Sequence, residues 1–144
     1  MAIVWCLQQP LHYHLRRYSL SNMARHNRKP DELLPLTSGM FHVLIALADG
    51  EKHGYAIIKE VARRTDGAIR LSAGTLYTLI RRFVQEGVIA ESAERPDPAL
   101  DDERRRYYRL TPFGRDVAKA EAARMESTLS MARAKNLIPR TRTS

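Results

Sequence analysis

The stretch LSAGTLYTLIRRFVQEGVIAESAERPDPALDDERRRYYR, residues 71–109, decides the fold of this 144-residue chain. Its apolar residues first follow the i, i+3, i+4, i+7, i+8 spacing of one helical face: Leu76, Leu79, Ile80, Phe83 and Val84. Gly87 then ends the helix in the position of a C′ glycine. Residues 88–94 and 104–110 have strand character, and the loop between them contains prolines and aspartate. The stretch therefore predicts a helix with a polar, cationic outer face, followed by an arginine-rich hairpin.

Two shorter helices are predicted before this stretch. Thr37 or Ser38 caps the first, which runs to about residue 48 and buries one face: Met40, Val43, Leu44 and Leu47. Gly54 opens the second, which covers residues 55–64, stops at Asp66-Gly67 and buries Ile57, Ile58 and Val61. Ser72 caps the third. Three helices followed by a hairpin predict a winged helix-turn-helix, a mainly α fold with a small β-hairpin, and double-stranded DNA as its leading ligand.

A longer helix is predicted after the hairpin. Thr111 caps it and Pro112 occupies its first position, where a missing N–H costs nothing; we expect it to end near residue 136. Small and apolar residues recur along it in steps of four and three, the seam of a helix pair: Ala118, Ala122, Met125, Leu129 and Ala132. We interpret this seam as a homodimer contact. The alternative is a helix that packs on the first helix of its own chain.

The length predicts one compact domain with basic ends. We divide the chain into a mostly irregular extension (1–35), the winged helix-turn-helix (36–110), a dimerisation helix (111–136) and a basic tail (137–144). Of the net charge of +8, residues 1–30 contribute five cations and residues 133–144 four, and neither segment contains an acid. Residues 31–132 hold 15 basic and 16 acidic residues. The net charge is therefore no evidence that the folded part binds DNA, and only the local arrangement of its charges can provide such evidence.

Several classes of protein are not favoured. No apolar run approaches the roughly 20 residues that cross a membrane, and residues 1–9 lack the basic start and cleavage site of a signal peptide. Met23 is an alternative start, which leaves open whether residues 1–22 belong to the mature protein. The single cysteine, Cys6, cannot form an internal disulfide, which predicts a cytoplasmic location.

No catalytic residue, metal site or cofactor is predicted. The five histidines do not have the spacing of metal ligands: His12, His14, His26, His42 and His53. No nucleophile–base pair or phosphate-cradling glycine loop can be argued, so an enzyme is not expected.

The predicted DNA contacts begin on the first turns of the third helix. Small or hydroxylated side chains there lie at the positive end of the helix dipole and permit close approach to DNA: Ser72, Gly74, Thr75, Tyr77 and Thr78. Tyr77 has an equally supported alternative, packing in the core. Arg81 and Arg82 follow one turn later, and at least one should point outward. The alternative for Arg82 is an ion pair with Glu86, four residues on.

The hairpin supplies the second group of predicted contacts, Arg104, Arg105 and Arg106. Strand alternation places Arg105 on the opposite side from the other two, so the three cannot all reach one row of phosphates. The alternative is that residues 101–103, which are Asp, Asp and Glu, neutralise them in a surface network. Tyr107 and Tyr108 are interpreted as strand packing.

Four segments resemble the PadR family of bacterial transcriptional regulators: HGYAI (53–57), LSAGTLY (71–77), EGVI (86–89) and RYYRLTPFG (106–114). The resemblance spans roughly residues 36–130 and is closest to the branch with a single C-terminal helix. Thr78 departs from it, because the family often has proline there. The resemblance implies a homodimer that binds operator DNA through the third helix and the wing and represses transcription. Release by a small-molecule effector near the dimer interface is common in the family, although not universal.

The main rival hypothesis is a winged helix that binds another protein. In that case the basic tails alone would supply a non-specific affinity for nucleic acids.

Overall fold

A computed structural model describes residues 28–92 and 106–139 of the protein. Its helices are α1 (Ser38–Leu47), α2 (Gly54–Arg64), α3 (Ala73–Gln85) and α4 (Pro112–Ala134), and its strands are β1 (Lys52–His53), β2 (Ile89–Ser92) and β3 (Tyr107–Leu110). The predicted order of three helices, a hairpin and a long helix is confirmed. None of these helices is both long and apolar enough to cross a bilayer.

The hairpin belongs to a sheet of three strands, of which the sequence predicted two. The order is β1-β3-β2, with both pairs antiparallel, and Glu91 of β2 lies opposite Tyr108 of β3. β1 has only two residues, too few for a period-2 pattern, and for that reason it was missed. Because β1 leads directly into α2, it ties the start of α2 to the hairpin. The predicted strands extended further, to residue 94 and from residue 104, but residues 93–105 lie outside the described part.

Side chains cap all four helices at their N-termini. Thr37, Ser72 and Thr111 each accept the N–H of the residue three positions ahead, over 3.3, 3.1 and 2.9 Å. His53 does the same for α2 through Nδ1, at 3.2 Å from the nitrogen of Ala56, a cap that the sequence analysis did not identify. Gly87 has a φ of 76°, and the N–H of Val88 donates to the carbonyl of Phe83 at 2.8 Å, so α3 ends as predicted.

The predicted inner faces of the helices form the core, with two differences. Buried residues include Val43 and Leu44 of α1, Ile57 and Val61 of α2, and Leu76, Ile80 and Phe83 of α3. Val84 is 39% exposed, because it follows Phe83 and is rotated by about 100° from it. Leu33, in a turn of 3₁₀ helix at Pro30–Leu33, is buried and joins the core. The folded part thus begins before residue 36.

The start of α4 is held against the end of α3. The hydroxyl of Thr111 lies 2.6 Å from the carbonyl oxygen of Gly87, and its backbone N–H donates to the carbonyl of Val88 at 3.1 Å. A Cβ on Gly114 would collide with that same carbonyl oxygen of Val88. Since the colliding group is backbone, it cannot move aside cheaply, and glycine is required there for packing. Arg115 adds a bond of 3.1 Å to the carbonyl of Ala48, beyond the end of α1.

A buried carboxylate fixes the middle of α4. Glu121 is fully buried, and its two oxygens accept bonds of 2.8 and 2.7 Å from Arg124. The Arg124 hydrogen bonds lower the pKa of Glu121, a hydrogen bond from the Leu36 backbone lowers it further, and burial opposes them by raising it. The carboxylate thereby joins α4 to the segment that leads into α1.

Replacing Glu121 with glutamine should lower the free energy of unfolding by about 1–3 kcal/mol at pH 7. A lowered folded-state pKa stabilises the fold above the pKa of an unfolded glutamate, about 4.3, and this stabilisation is lost as the pH falls through the folded-state pKa. Urea unfolding at several pH values should therefore show the difference from wild type shrinking towards pH 3.

Glu126→Gln is the matched control, because Glu126 forms an exposed pair with Arg133 at 3.2 Å on the same helix. It should change stability by less than about 0.5 kcal/mol at any pH. An equal loss in the two variants would contradict the role assigned to Glu121.

Candidate nucleic-acid interface

One side of α3 carries small and cationic residues that face solvent. Leu76, Ile80 and Phe83 point into the core. On the opposite side, four exposed residues at i, i+4, i+7 and i+11 form what we call the outer stripe: Gly74, Thr78, Arg81 and Gln85. Gln85 was not among the predicted contacts, although the same spacing would have identified it. The outer stripe therefore joins three of the predicted residues with one that was missed.

Hydrogen bonds within the protein hold the hydroxyl groups at the start of α3. Ser72 and Thr75 are joined through their hydroxyl oxygens at 2.9 Å, and Ser72 also caps the helix. The hydroxyl of Thr78 donates to the carbonyl of Gly74 at 2.9 Å. Thr78 is inside an uninterrupted helix. A proline there would remove a backbone donor and disturb the turn, so the threonine keeps the early turns regular.

Gly74 is not required by the fold. A Cβ at this position would meet nothing within 4 Å, and its φ is not in the left-handed region. A glycine inside a helix costs about 0.5–1 kcal/mol relative to alanine. The protein therefore carries a destabilising residue on an open surface, where the bare backbone would let a partner approach closely.

Tyr77 packs against α2 and is also half exposed, so its contact with DNA stays a prediction. Its hydroxyl oxygen would lie 3.0 Å from a Cβ built on Gly54, so its ring packs against the start of α2. The residue is nevertheless 50% exposed. Tyr107 and Tyr108 pack within the sheet as expected: Tyr108 is buried, which raises its pKa, and the ring of Tyr107 meets His53 edge-on at 5.6 Å.

The two arginines of α3 differ in their partners. The Nε of Arg82 lies 3.1 Å from Glu86, and its Nη1 lies 4.0 Å from the sulfur of Met40. The other carboxylate oxygen of Glu86 is buried without a hydrogen-bond partner. If Arg82 left, a largely buried negative charge would remain at the negative end of the helix dipole, which is unfavourable. Arg81 is exposed and forms no ion pair with the described residues.

The wing is described only at its base. Arg106 is exposed and pairs with Glu91 of β2 at 3.3 Å, a partner that the sequence analysis had not considered. Arg104 and Arg105 lie outside the described residues, as do the acids at 101–103. The proposed alternation of these three arginines is therefore not tested.

Two further exposed cations lie on the elements that precede α3 in the chain. Arg70, in the segment before α3, is exposed, and its Nε lies 3.4 Å from the carbonyl oxygen of Gly67. The ammonium of Lys59 on α2 lies 4.7 Å from the ring centre of the exposed Tyr55. The spacing of apolar residues identified the buried faces of α2 and α3. It does not distinguish Lys59 or Arg70 from ordinary surface cations.

The predicted seam of α4 divides into two parts. Ala118 packs against the core of its own chain, so this end of the seam is partly covered within the protomer. Met125 and Ala132 are half-buried, whereas Ala122 and Leu129 are exposed, Leu129 to 42%. Beyond them Met131 is 61% and Leu137 75% exposed. The second half of α4 therefore presents apolar side chains that the described residues do not cover.

Comparison with known proteins identifies the class. Residues 43–120, which include the second half of α1, the whole of α2 and α3, the three strands and the first part of α4, match the transcriptional regulator PadR-like family. The chain therefore belongs to the PadR-like family of transcriptional regulators. A transcriptional regulator of Mycobacterium tuberculosis, Rv3488, is 34% identical over 85 residues, which make up 59% of this chain and 73% of that protein.

Solved structures agree with the fold. A transcriptional regulator from Clostridium thermocellum is 25% identical, with a TM-score of 0.57, and the match covers 69% of this chain and 97% of that one. A PadR family regulator from Clostridium difficile has the same TM-score at 20% identity and covers 68% of this chain and 97% of that one. The second similarity shows the fold alone.

Replacing Gly74 with alanine should separate stability from binding. We expect the free energy of unfolding to rise by at most about 0.5–1 kcal/mol, because the new methyl group meets nothing and helix propensity improves in the first turn. Affinity for DNA should fall roughly tenfold, equivalent to about 1.4 kcal/mol, because the methyl group stands where the backbone would meet the duplex.

Ser130→Ala provides the matched control, since it also improves helix propensity at an exposed position, but on α4. It should leave DNA affinity unchanged. If Gly74→Ala bound DNA as tightly as wild type, close backbone approach at residue 74 would be wrong.

Proposed function

We propose that the protein is a homodimeric repressor that binds specific double-stranded operator DNA. In this proposal α3 of each protomer enters a major groove and each wing contacts the neighbouring backbone. Two half-sites would lie about 34 Å, one helical turn, or a multiple of it apart on a pseudo-palindromic operator. Repression and its relief by a small-molecule effector remain predictions from the family resemblance.

The outer stripe of α3 is the observation that carries the proposal. Its first turns offer a glycine that the fold does not need and small side chains at a helix N-terminus, which suit phosphates and base edges. Arg81, one turn on, has its guanidinium uncommitted to any described carboxylate. An arginine fork matches the acceptors of guanine or a phosphate.

The arginines thereby acquire different roles. We assign direct DNA contact to Arg81, together with Ser72, Gly74, Thr75, Tyr77 and Thr78. Arg82 instead holds Glu86 and shapes the end of the helix. Arg106 would exchange its exposed pair with Glu91 for a phosphate at little cost, because such pairs contribute only about 0–1 kcal/mol. Arg104 and Arg105 stay proposed contacts of the wing.

The second half of α4 supports the homodimer. Exposed and half-buried apolar residues that share one side of α4 form a surface that the same helix of a second copy can cover by two-fold symmetry. A dimer would also fix the distance between the two α3 helices, as a two-part operator requires. The proposed contact comprises Ala122, Met125, Leu129 and Ala132, with Ala118 at its edge against the core.

Leu129→Glu should test dimer and operator binding together. In ultracentrifugation at about 10 µM, wild type should have twice the 16.5 kDa mass of one chain. The variant should have the mass of one chain, because a charge in an apolar contact is costly. The variant should also lose most of its preference for duplexes that wild type selects from a random library. Ser130→Glu adds the same charge to an exposed neighbouring position and should change neither property.

A wild-type protein that has the mass of one chain at this concentration would contradict the dimer. A library without any enriched sequence would contradict specific DNA binding.

A further inference from the structure

At the start of α3 the exposed side chains of Thr75 and Thr78 carry methyl groups, and most of the hydroxyl hydrogens around them are already used within the protein. We propose that Thr75 and Thr78 read the C5-methyl groups of thymines in the major groove, so that thymine methyls at these positions define the preferred half-site. The inference rests on the proposed function, and it specifies the chemistry by which the same surface selects its DNA.

Most of the hydroxyl hydrogens at the start of α3 are already used in hydrogen bonds within the protein. Besides the phenol of Tyr77, three aliphatic hydroxyls lie at this end of the helix, on Ser72, Thr75 and Thr78, and each has one hydrogen to donate. Thr78 donates its hydrogen to the carbonyl of Gly74, and the bond between Ser72 and Thr75 uses one more. One hydroxyl hydrogen is left for a partner.

Guanine and thymine present different groups in the major groove. Guanine presents two acceptors there and needs donors, and the side chains of Ser72, Thr75 and Thr78 have only that one hydrogen left to offer. Thymine presents one acceptor and a methyl group, and the methyl groups of threonine pack on it. Arg81 remains the donor for guanine or phosphate further along the helix.

The two threonines are adjacent on the helix surface and their side chains are held in place. Thr75 and Thr78 are both exposed, and they are three residues apart, so their side chains are neighbours on the helix surface. Their hydroxyl bonds at 2.9 Å restrict rotation about χ1 and thereby fix the methyl groups before any DNA arrives. Side chains that are already ordered lose less conformational entropy on binding. Gly74 beside them leaves room for the base edge.

Uracil substitution tests the inference, because uracil differs from thymine only by the missing methyl group. A 30-base-pair duplex is first selected by wild type from a random library, and each thymine is then replaced singly by deoxyuridine. We expect at least one thymine in each half-site at which the replacement weakens binding about three- to fivefold, the contribution of one buried methyl group.

Serine variants assign that effect to the protein. Thr78→Ser or Thr75→Ser removes a methyl group but keeps the hydroxyl, so each variant should abolish the thymine-over-uracil preference at one position and retain it elsewhere. Thr128→Ser is the matched control, because the Thr128 hydroxyl donates to the carbonyl of Arg124 at 3.0 Å, the same bond as in Thr78, but far along α4. It should keep the complete wild-type uracil profile.

Two results would overturn the inference alone: uracil changes affinity by less than about 1.5-fold at every position, or both serine variants keep the wild-type preference. In either case a selected sequence still exists, so operator binding stands. Failure to select any sequence would instead overturn the proposed function, and this inference with it.

Discussion

The placement of α3 depends on the contact between its C-terminal end and the start of α4. Thr111 bonds to the carbonyl of Gly87, and the carbonyl of Val88 lies where a side chain at Gly114 would be. The same few residues thus end α3, begin the hairpin and begin α4. Since the buried carboxylate of Glu121 also joins α4 to the backbone of Leu36 before α1, backbone contacts and this carboxylate orient the outer stripe relative to the proposed dimer contact.

Much of this arrangement could be read from the sequence, because it rests on local signals. The caps at Thr37, Ser72 and Thr111 and the glycine at 87 mark helix ends by their own chemistry. The spacing from Leu76 to Phe83 identifies the buried face of α3, and therefore also its outer face. The positions of the predicted DNA contacts on α3 followed from these two signals together with the family resemblance.

The features that were missed depend on contacts between distant residues. β1 exists because Lys52 and His53 meet β3, and no local pattern announces two residues of strand. Glu121 is an ordinary charged helix residue by sequence, and its burial and its hydrogen bond with the backbone of Leu36 follow only from the fold. From the sequence, Arg82 could either contact DNA or pair with Glu86. The structure contains the pair with Glu86, whereas Arg81 has no such partner among the described residues. These features depend on packing between distant residues, and the spacing of residues along one helix or strand does not specify that packing.

The central claim is that the folded domain, not the basic ends of the chain, selects a DNA sequence. The test is the ratio of affinities for a selected and an unrelated duplex at physiological salt, for the full chain and for one without residues 1–27 and 140–144. This deletion spares Leu33 and Leu36 of the core and removes five of the 24 basic residues. Our account predicts weaker binding to both duplexes, because fewer counterions are released, and a ratio preserved within about threefold. A ratio that falls to about one would contradict it.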